Sequence, residues 1–410
     1  MKRAIAAVDI GTTKVTTLVA TSDGGSVRVV GAGTVASQGV EKGMVADMAR
    51  LTESVAASVH EAERSSGYRI DRAYVAVGGS HILSRNASGE AAVAHGLRGV
   101  EQVDVDRALG EAGSVSLPPE RQILHVVPRG FWLDGNVLVR DPLGMAAYRL
   151  VVEVHIVTAL GSAVTNLVRC VEAVGVDVAG LVLQSLASGE AVLTENERDM
   201  GVALVDIGGG TTDVAVYLNG GVWHTANIAT GGNHITNDLA IGLHCPFEVA
   251  EDVKLRFGHC VPAEVGPEEK VRIAGFAGNG GKETSREEVV EIVQARVEEI
   301  FSLVQRELRR SSYDGLLSAG VALCGGTANL PGMATLGSDV LGMPVRIVMP
   351  RRAEGLTEIV GSTAQATGVG LLLWGLRQPF GPDENEDLSL WQKLGRSVRS
   401  FLPGRVSGRS

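Results

Sequence analysis

Apolar and polar positions along this chain alternate between two registers. Continuous apolar runs, "RAIAAVDI" ending at Ile10 and "GVALVDI" ending at Ile207, each close on Asp-Ile-Gly, the pattern of a buried strand entering a tight turn. After the first turn come the strand-like "KVTTLVA" and "SVRVVGAGTVA". After the second come "TDVAVYL", the turn Asn219-Gly220-Gly221 and "VWHTANIAT" as a hairpin return. Elsewhere the period is helical. From about Ala46 to Arg64, Leu51, Val55, Ala56 and Val59 share one side. In "SREEVVEIVQARVEEIFSLVQRELRRSS", Val289, Ile292, Val293, Val297, Ile300, Val304 and Leu308 hold a stripe, and Ser285 with Glu288 predicts a capping box at its start. The two halves share a plan.

Two inserts interrupt that plan. Residues 80–160 mix alternating segments such as "QILHVVP" and "RLVVEVHIVTA" with a helix near Val105–Ala112, which predicts a small α+β unit. Residues 233–312 are expected to be mainly helical. The first core then spans 1–79, 161–198 and 359–378, and the second 199–232 and 313–358, giving an α/β class. Residues 379–389 form an acidic linker and 390–410 a tail. Across Leu390–Leu402, Leu390, Trp391, Leu394, Val398, Phe401 and Leu402 fall within roughly one third of a helical wheel, with Lys393, Arg396 and Arg399 on the remainder. A terminal helix docked on the body would read this way, but the acidic linker, the basic face and an interfacial tryptophan favour an anionic membrane surface.

Composition narrows the classes. At 410 residues the chain exceeds one hydrophobic core. A net charge of -10 argues against a nucleic-acid partner, which needs a basic face. The widely spaced Cys170, Cys245, Cys260 and Cys324 form no CxxC pair and predict free thiols in a reducing compartment, the cytosol. The first apolar run stops at Asp9, too soon for a secretion signal, and "VGLLLWGL" is too short to span a bilayer, so membrane contact is expected to be peripheral. His224, His234, His244 and His259 have no helical metal-pair spacing and are read as ordinary histidines.

The turns carry the candidate chemistry. A phosphate needs backbone N–H donors at close range, and glycine lets the backbone approach. Gly11 and Gly208-Gly209-Gly210 supply this; Thr12, Thr13, Thr211 and Thr212 add hydroxyls, and Lys14 adds a charge. Asp9, Asp206 and Asp213 are oxygen donors of the kind Mg²⁺ prefers. A lone "DIGTT" reads as a glycine hairpin. The third element, "ALCGGTANLPGM", runs a strand into Gly325-Gly326, suited to passing under an adenosine, and Glu251 and Lys254 stand one helical turn apart, able to reach ribose hydroxyls.

This ordered set resembles the actin-like ATPase superfamily. Within it, "VASQGVEKGMVADM", "VGGSHI", "RDPLGM", "GGNHITNDLAIGLHCPFEVAEDVK" and "ATGVGLLLWG" resemble blocks of the FtsA family, the membrane-tethering actins of bacterial cell division, over nearly the whole chain. "CGGTAN" and "GSTAQAT" depart from the family's pattern. The resemblance implies an actin-like two-lobe fold with a duplicated sheet core, 80–160 as the inserted 1C subdomain, 233–312 as 2B, and a C-terminal amphipathic helix. It implies ATP with Mg²⁺ held through water by Asp9 and Asp206, Gln184 positioning water or metal, and a nucleotide-binding set that takes in Gly231, Gly232 and Asn329. The partners it implies are the FtsZ C-terminal tail on 2B, further copies of the chain in a filament, other division proteins, and the cytoplasmic face of the inner membrane at the division site. No residue offers itself as a strong general base, so hydrolysis is expected to be slow or absent. A pilus-assembly actin homologue and a small-molecule kinase of the same superfamily are the alternatives.

Overall fold

The computed structural model describes residues 3–23, 26–94, 98–276, 282–351 and 353–377. The linker and the membrane-binding set Leu390 to Leu402 lie outside the described residues.

Two sheets repeat one arrangement. In the first, strand Arg3–Ile10 pairs antiparallel with Lys14–Asp23, which pairs antiparallel with Ser26–Ala36, while Arg72–Val77 and then Asp177–Leu183 add in parallel on the other side. In the second, Val202–Ile207 pairs antiparallel with Thr212–Leu218, then Gly221–Ile228, while Val321–Cys324 and Val345–Ile347 add in parallel. The continuous apolar runs are the central strands of each sheet, buried on both faces; Ala7, Val8, Leu204 and Val205 are fully enclosed. A short strand, Ala353–Gly355, returns to the open edge of the first sheet beside Ser26–Ala36.

Two helices join the sheets. Gln184–Val192 follows directly on strand Asp177–Leu183, and Ala366–Arg377 crosses it closely: a Cβ on Gly370 would sit 1.8 Å from the Ala187 carbonyl oxygen. Only glycine permits that approach.

Residues from Leu83 to Leu160 build a separate four-stranded sheet, ordered Leu83–Ala92, Arg149–Leu160, Arg121–Leu133, Val137–Val139. Helix Gln102–Gly113 packs on it through Val105, Ala108 and Leu109, against Phe131, Leu150 and Ile156. The stretch between the second sheet's hairpins and its parallel strands carries helices Gly232–Leu243, Phe247–Phe257 and Arg286–Ser311. It also holds a small hairpin, Lys270–Ile273 with Lys282–Ser285, which the helical expectation passed over because its strands are only four residues long. The long helix buries Val289, Val293, Val297, Ile300, Val304 and Leu308, each contributing ~1.5–3 kcal/mol, while Ile292 at the edge of the stripe is half-buried. Ser285 caps it by accepting the Glu288 N–H at 3.1 Å, and the Glu288 carboxylate accepts from Thr284 Oγ1. Among the described residues, no helix is long and apolar enough to cross a membrane.

Candidate functional site

The two Asp-Ile-Gly turns meet. Each is closed by the same bond, Gly11 N–H donating to the Lys14 carbonyl and Gly208 N–H to the Thr211 carbonyl, both at 2.9 Å. They face each other so closely that a Cβ on Gly209 would lie 2.2 Å from Thr13 Cγ2, and one on Gly210 2.5 Å from Thr12 Oγ1. The glycines are therefore space for the opposing threonines as much as a means of exposing backbone.

Between the turns is a narrow cleft open to solvent. It is lined by Asp9, Gly11, Thr12, Thr13 and Lys14 from the first lobe, by Asp206, Gly208, Gly209, Gly210, Thr211 and Asp213 from the second, and by Gln184, Gly325 and Gly326. The remaining expected residues lie behind this lining. Thr212 Oγ1 donates to the Thr230 carbonyl at 2.8 Å, and Asn329 accepts from Thr363 at 2.9 Å. Gly231 and Gly232 pack on the second turn, Gly232 N–H donating to the Gly208 carbonyl at 2.9 Å. Lys254 is buried and donates to Thr236 at 2.8 Å and to the Gly232 carbonyl at 3.3 Å, while Glu251 pairs with Lys254 at 2.6 Å and accepts from Thr236. In this arrangement the pair braces the second turn from below.

The carboxylates are under strain from their setting. Burial pushes Asp9 up to about 6, with the Lys14 charge holding it down and Asp206 adding to the rise. Burial likewise raises Asp206, against hydrogen bonds from Ser188, Cys324 and Thr367. Asp213 is pushed up to about 7, chiefly by burial, although Asn227 donates to it at 3.0 Å. Burial also lowers Lys14, whose Nζ donates to the Ala364 carbonyl at 2.7 Å.

Helix Gln184–Val192 reaches both lobes. Gln184 Nε2 stands 3.5 Å from Asp9 Oδ1, and one turn later Ser188 Oγ donates to Asp206 Oδ2 at 2.6 Å. Sequence reasoning did not select Ser188, nor the cleft-lining Gly43, Thr363, Ala364, Ala366 and Thr367. The available signal was "GSTAQAT", whose Thr363 and Thr367 sit four apart; Thr367 closes on Ser188 at 2.9 Å and Asp206 at 3.4 Å.

With this geometry in view, relatives decide the family. A Pseudomonas aeruginosa protein named "Cell division protein FtsA" is 40% identical over 91% of this chain and 89% of its own length. The Escherichia coli K12 protein of that name is 34% identical over 98% of this chain and 96% of its own, and that of Bacillus subtilis 36% over 90% and 83%. This chain belongs to the FtsA family. The family described as "Cell division protein FtsA" matches residues 203–370, from the second turn through the Thr367 segment, and "SHS2 domain inserted in FTSA" matches 79–158, the stretch that builds the separate sheet. As an FtsA-family member the chain is a cell-division actin homologue.

Solved structures agree on the architecture. A PilM–PilN type IV pilus biogenesis complex aligns with TM-score 0.65 at 16% identity, covering 92% of this chain and 99% of that one. An MreB of Spiroplasma citri bound to AMPPNP aligns at 0.55 and 15% identity, covering 90% and 95%. At such identities the likeness establishes the fold, the actin-like pair of lobes.

Proposed function

We propose that this FtsA-family chain binds ATP with Mg²⁺ between its lobes, assembles into filaments, and ties FtsZ to the cytoplasmic face of the inner membrane at the division site, where it recruits further division proteins. The observation that carries the nucleotide reading is the meeting of two equivalent turns across one cleft, with backbone N–H groups, threonine hydroxyls and Lys14 on its walls. AMPPNP in the MreB neighbour supports the same ligand class. Glu251 and Lys254 brace this wall, Gly231 and Gly232 pack on its backbone, and Asn329 holds the Thr363 hydroxyl.

The donor set fits Mg²⁺. Asp9 and Asp206 are buried, oxygen-only groups; burial raises Asp9 most and the Asp206 charge adds to the rise, and a divalent cation would favour the ionised form of both. Among the described residues no cluster of three or more His, Cys, Asp or Glu side chains could hold a metal ion, so water and phosphate would complete its shell. When bound, Mg²⁺ supplies charge neutralisation to the phosphates. Gln184, an amide, orients a neighbour and accepts no proton, so nucleotide acts chiefly as a conformational ligand with at most slow hydrolysis.

The units 1–79, 161–198 and 359–378 serve as 1A, 80–160 as 1C, 199–232 and 313–358 as 2A, and 233–312 as 2B, the dock for the FtsZ tail. The tail 390–410 is the anchor. Its six apolar side chains gain up to ~1.5–3 kcal/mol each on full burial and its three basic ones ~1 kcal/mol each near anionic lipid. Ordering the segment costs ~1–2 kcal/mol per residue, so one tail binds reversibly and a filament binds by avidity. Co-sedimentation with anionic vesicles, with the FtsZ C-terminal peptide present, tests this. Trp391→Glu is expected to release the protein while MgATP binding persists. A Trp391→Glu protein that sediments like wild type would remove the tail as anchor.

A further inference from the structure

Helix Gln184–Val192, which touches an aspartate of each lobe, starts where an edge strand ends. Leu183 is the last residue of strand Asp177–Leu183, which among the described residues stands at the sheet edge beside Arg72–Val77, and it is the N-cap of the helix. Its amide is satisfied from outside the sheet: Leu183 N–H donates to Nε2 of His125 at 3.0 Å. His125 belongs to strand Arg121–Leu133 of the inserted sheet, is 2% exposed, and stands edge-on to Trp374 with ring centres 5.8 Å apart. Burial drives it down to about 3, so the ring is neutral and Nε2 is free of a proton when Nδ1 carries it.

Four residues earlier on the same strand Arg121 donates to the His81 carbonyl at 2.8 Å, a bond within the insert that holds its entry segment against the inserted sheet. The insert also rests on the other lobe. Ser84 Oγ donates to the Thr225 carbonyl at 2.7 Å, His155 Nε2 meets Thr225 Oγ1 at 2.9 Å, and the Arg129 guanidinium stacks 3.9 Å over Trp223. It therefore touches the second sheet's outer strand, Gly221–Ile228, and the start of the helix under the cleft.

We propose that His125 is a positioning residue: by accepting the Leu183 N–H it fixes the first turn of helix Gln184–Val192, and thereby couples the seating of the inserted sheet to the grip of the cleft on nucleotide. This rests on the nucleotide reading above. Because coupling is reciprocal, nucleotide in the cleft steadies the insert by the same factor that the seated insert tightens nucleotide. His125→Leu leaves the buried Leu183 N–H unpaired. His125→Gln returns an acceptor oxygen to the place of Nε2, and His125→Asn places its oxygen short of Leu183.

Amide hydrogen exchange of the full-length protein with and without MgATP, alongside calorimetric affinity, tests the coupling. In wild type, MgATP is expected to slow exchange across 121–133. His125→Leu, or His125→Asn if the leucine variant does not fold, should lose that slowing and bind MgATP ~5-fold or more weakly, and His125→Gln should recover both. A variant that merely melts earlier while nucleotide still slows exchange across 121–133 overturns the proposal, as does a wild type that binds MgATP with no slowing there. A wild type that binds no MgATP fails the cleft reading itself, and the coupling with it.

Discussion

The first turn, Asp9 to Lys14, and the second, Asp206 to Thr211, share a backbone and differ in what they hang on it. The first carries Thr12, Thr13 and Lys14; the second has Gly209, Gly210 and Thr211 in the matching stretch. The consequence is a fit of knobs to holes, with Thr13 Cγ2 occupying the space that a Gly209 side chain would need. Charge is divided as well. The residue opposite Asp9 in its hairpin is Thr16, whereas opposite Asp206 it is Asp213. A duplicated turn has thus become two parts: one supplies hydroxyls and a cation, and the other supplies space and a second buried acid.

Filling the space should have the largest effect. Gly209→Val places carbon where Thr13 stands, and overpacking of ~1–3 kcal/mol or more at the point where the lobes meet should weaken MgATP by about 100-fold or abolish binding. Gly209→Ala should be partly rescued by Thr13→Ser, which deletes the clashing methyl. Unchanged calorimetric affinity in Gly209→Val would mean the turns do not clamp one ligand.

Removing the charge comes next. Lys14→Met deletes the ammonium that bridges to the Ala364 carbonyl and restrains Asp9. A charged hydrogen bond is worth ~1.5–3 kcal/mol, so affinity should fall roughly 10- to 150-fold. The matched change in the other turn, Thr211→Ser, keeps its hydroxyl and should cost less than ~3-fold. Equal losses at the two positions would erase the division of roles.

These contrasts mark what the sequence could and could not convey. Asp-Ile-Gly after a continuous apolar run is a local signal, so both turns and the actin-like class were legible. The long helix was legible because its stripe repeats over 26 residues. The Thr363–Thr367 wall had only the spacing of its two threonines to mark it, since Lys14 meets Ala364 across 350 positions and no local period records that contact. Helical spacing placed Glu251 and Lys254 on one face correctly, but whether that face meets a ligand or the neighbouring helix depends on packing, and Lys254 turns inward to Thr236. His125 had no signal of its own: it reads as one more polar residue in an alternating strand, and only the crossing of that strand behind Leu183 gives its ring a partner.

The smallest expected effect concerns the acid that the first turn lacks. Asp213 has a folded-state pKa of about 7, above its ordinary value of 3.8, so the folded protein binds more protons than the unfolded chain between those values. Stability from this group is complete below the unfolded value and is lost as pH rises through about 7. Asp9, at about 6, acts with the same sign slightly lower. Buried histidines act oppositely: His125 and His155, both near 3, favour the unfolded chain only below its ordinary histidine range. The buried thiols of Cys170, Cys245, Cys260 and Cys324, raised by burial, add to a decline at the alkaline end, so the comparison of wild type with Asp213→Asn across pH 6.5 to 8.5 is what isolates the acid. Without nucleotide, the unfolding temperature of wild type should decline across that window, and Asp213→Asn should flatten the decline while keeping a hydrogen-bonding partner for Asn227. Calorimetric scans at the two ends read the difference. A decline just as steep in Asp213→Asn would place the titrating acid elsewhere and leave the two hairpins electrostatically alike.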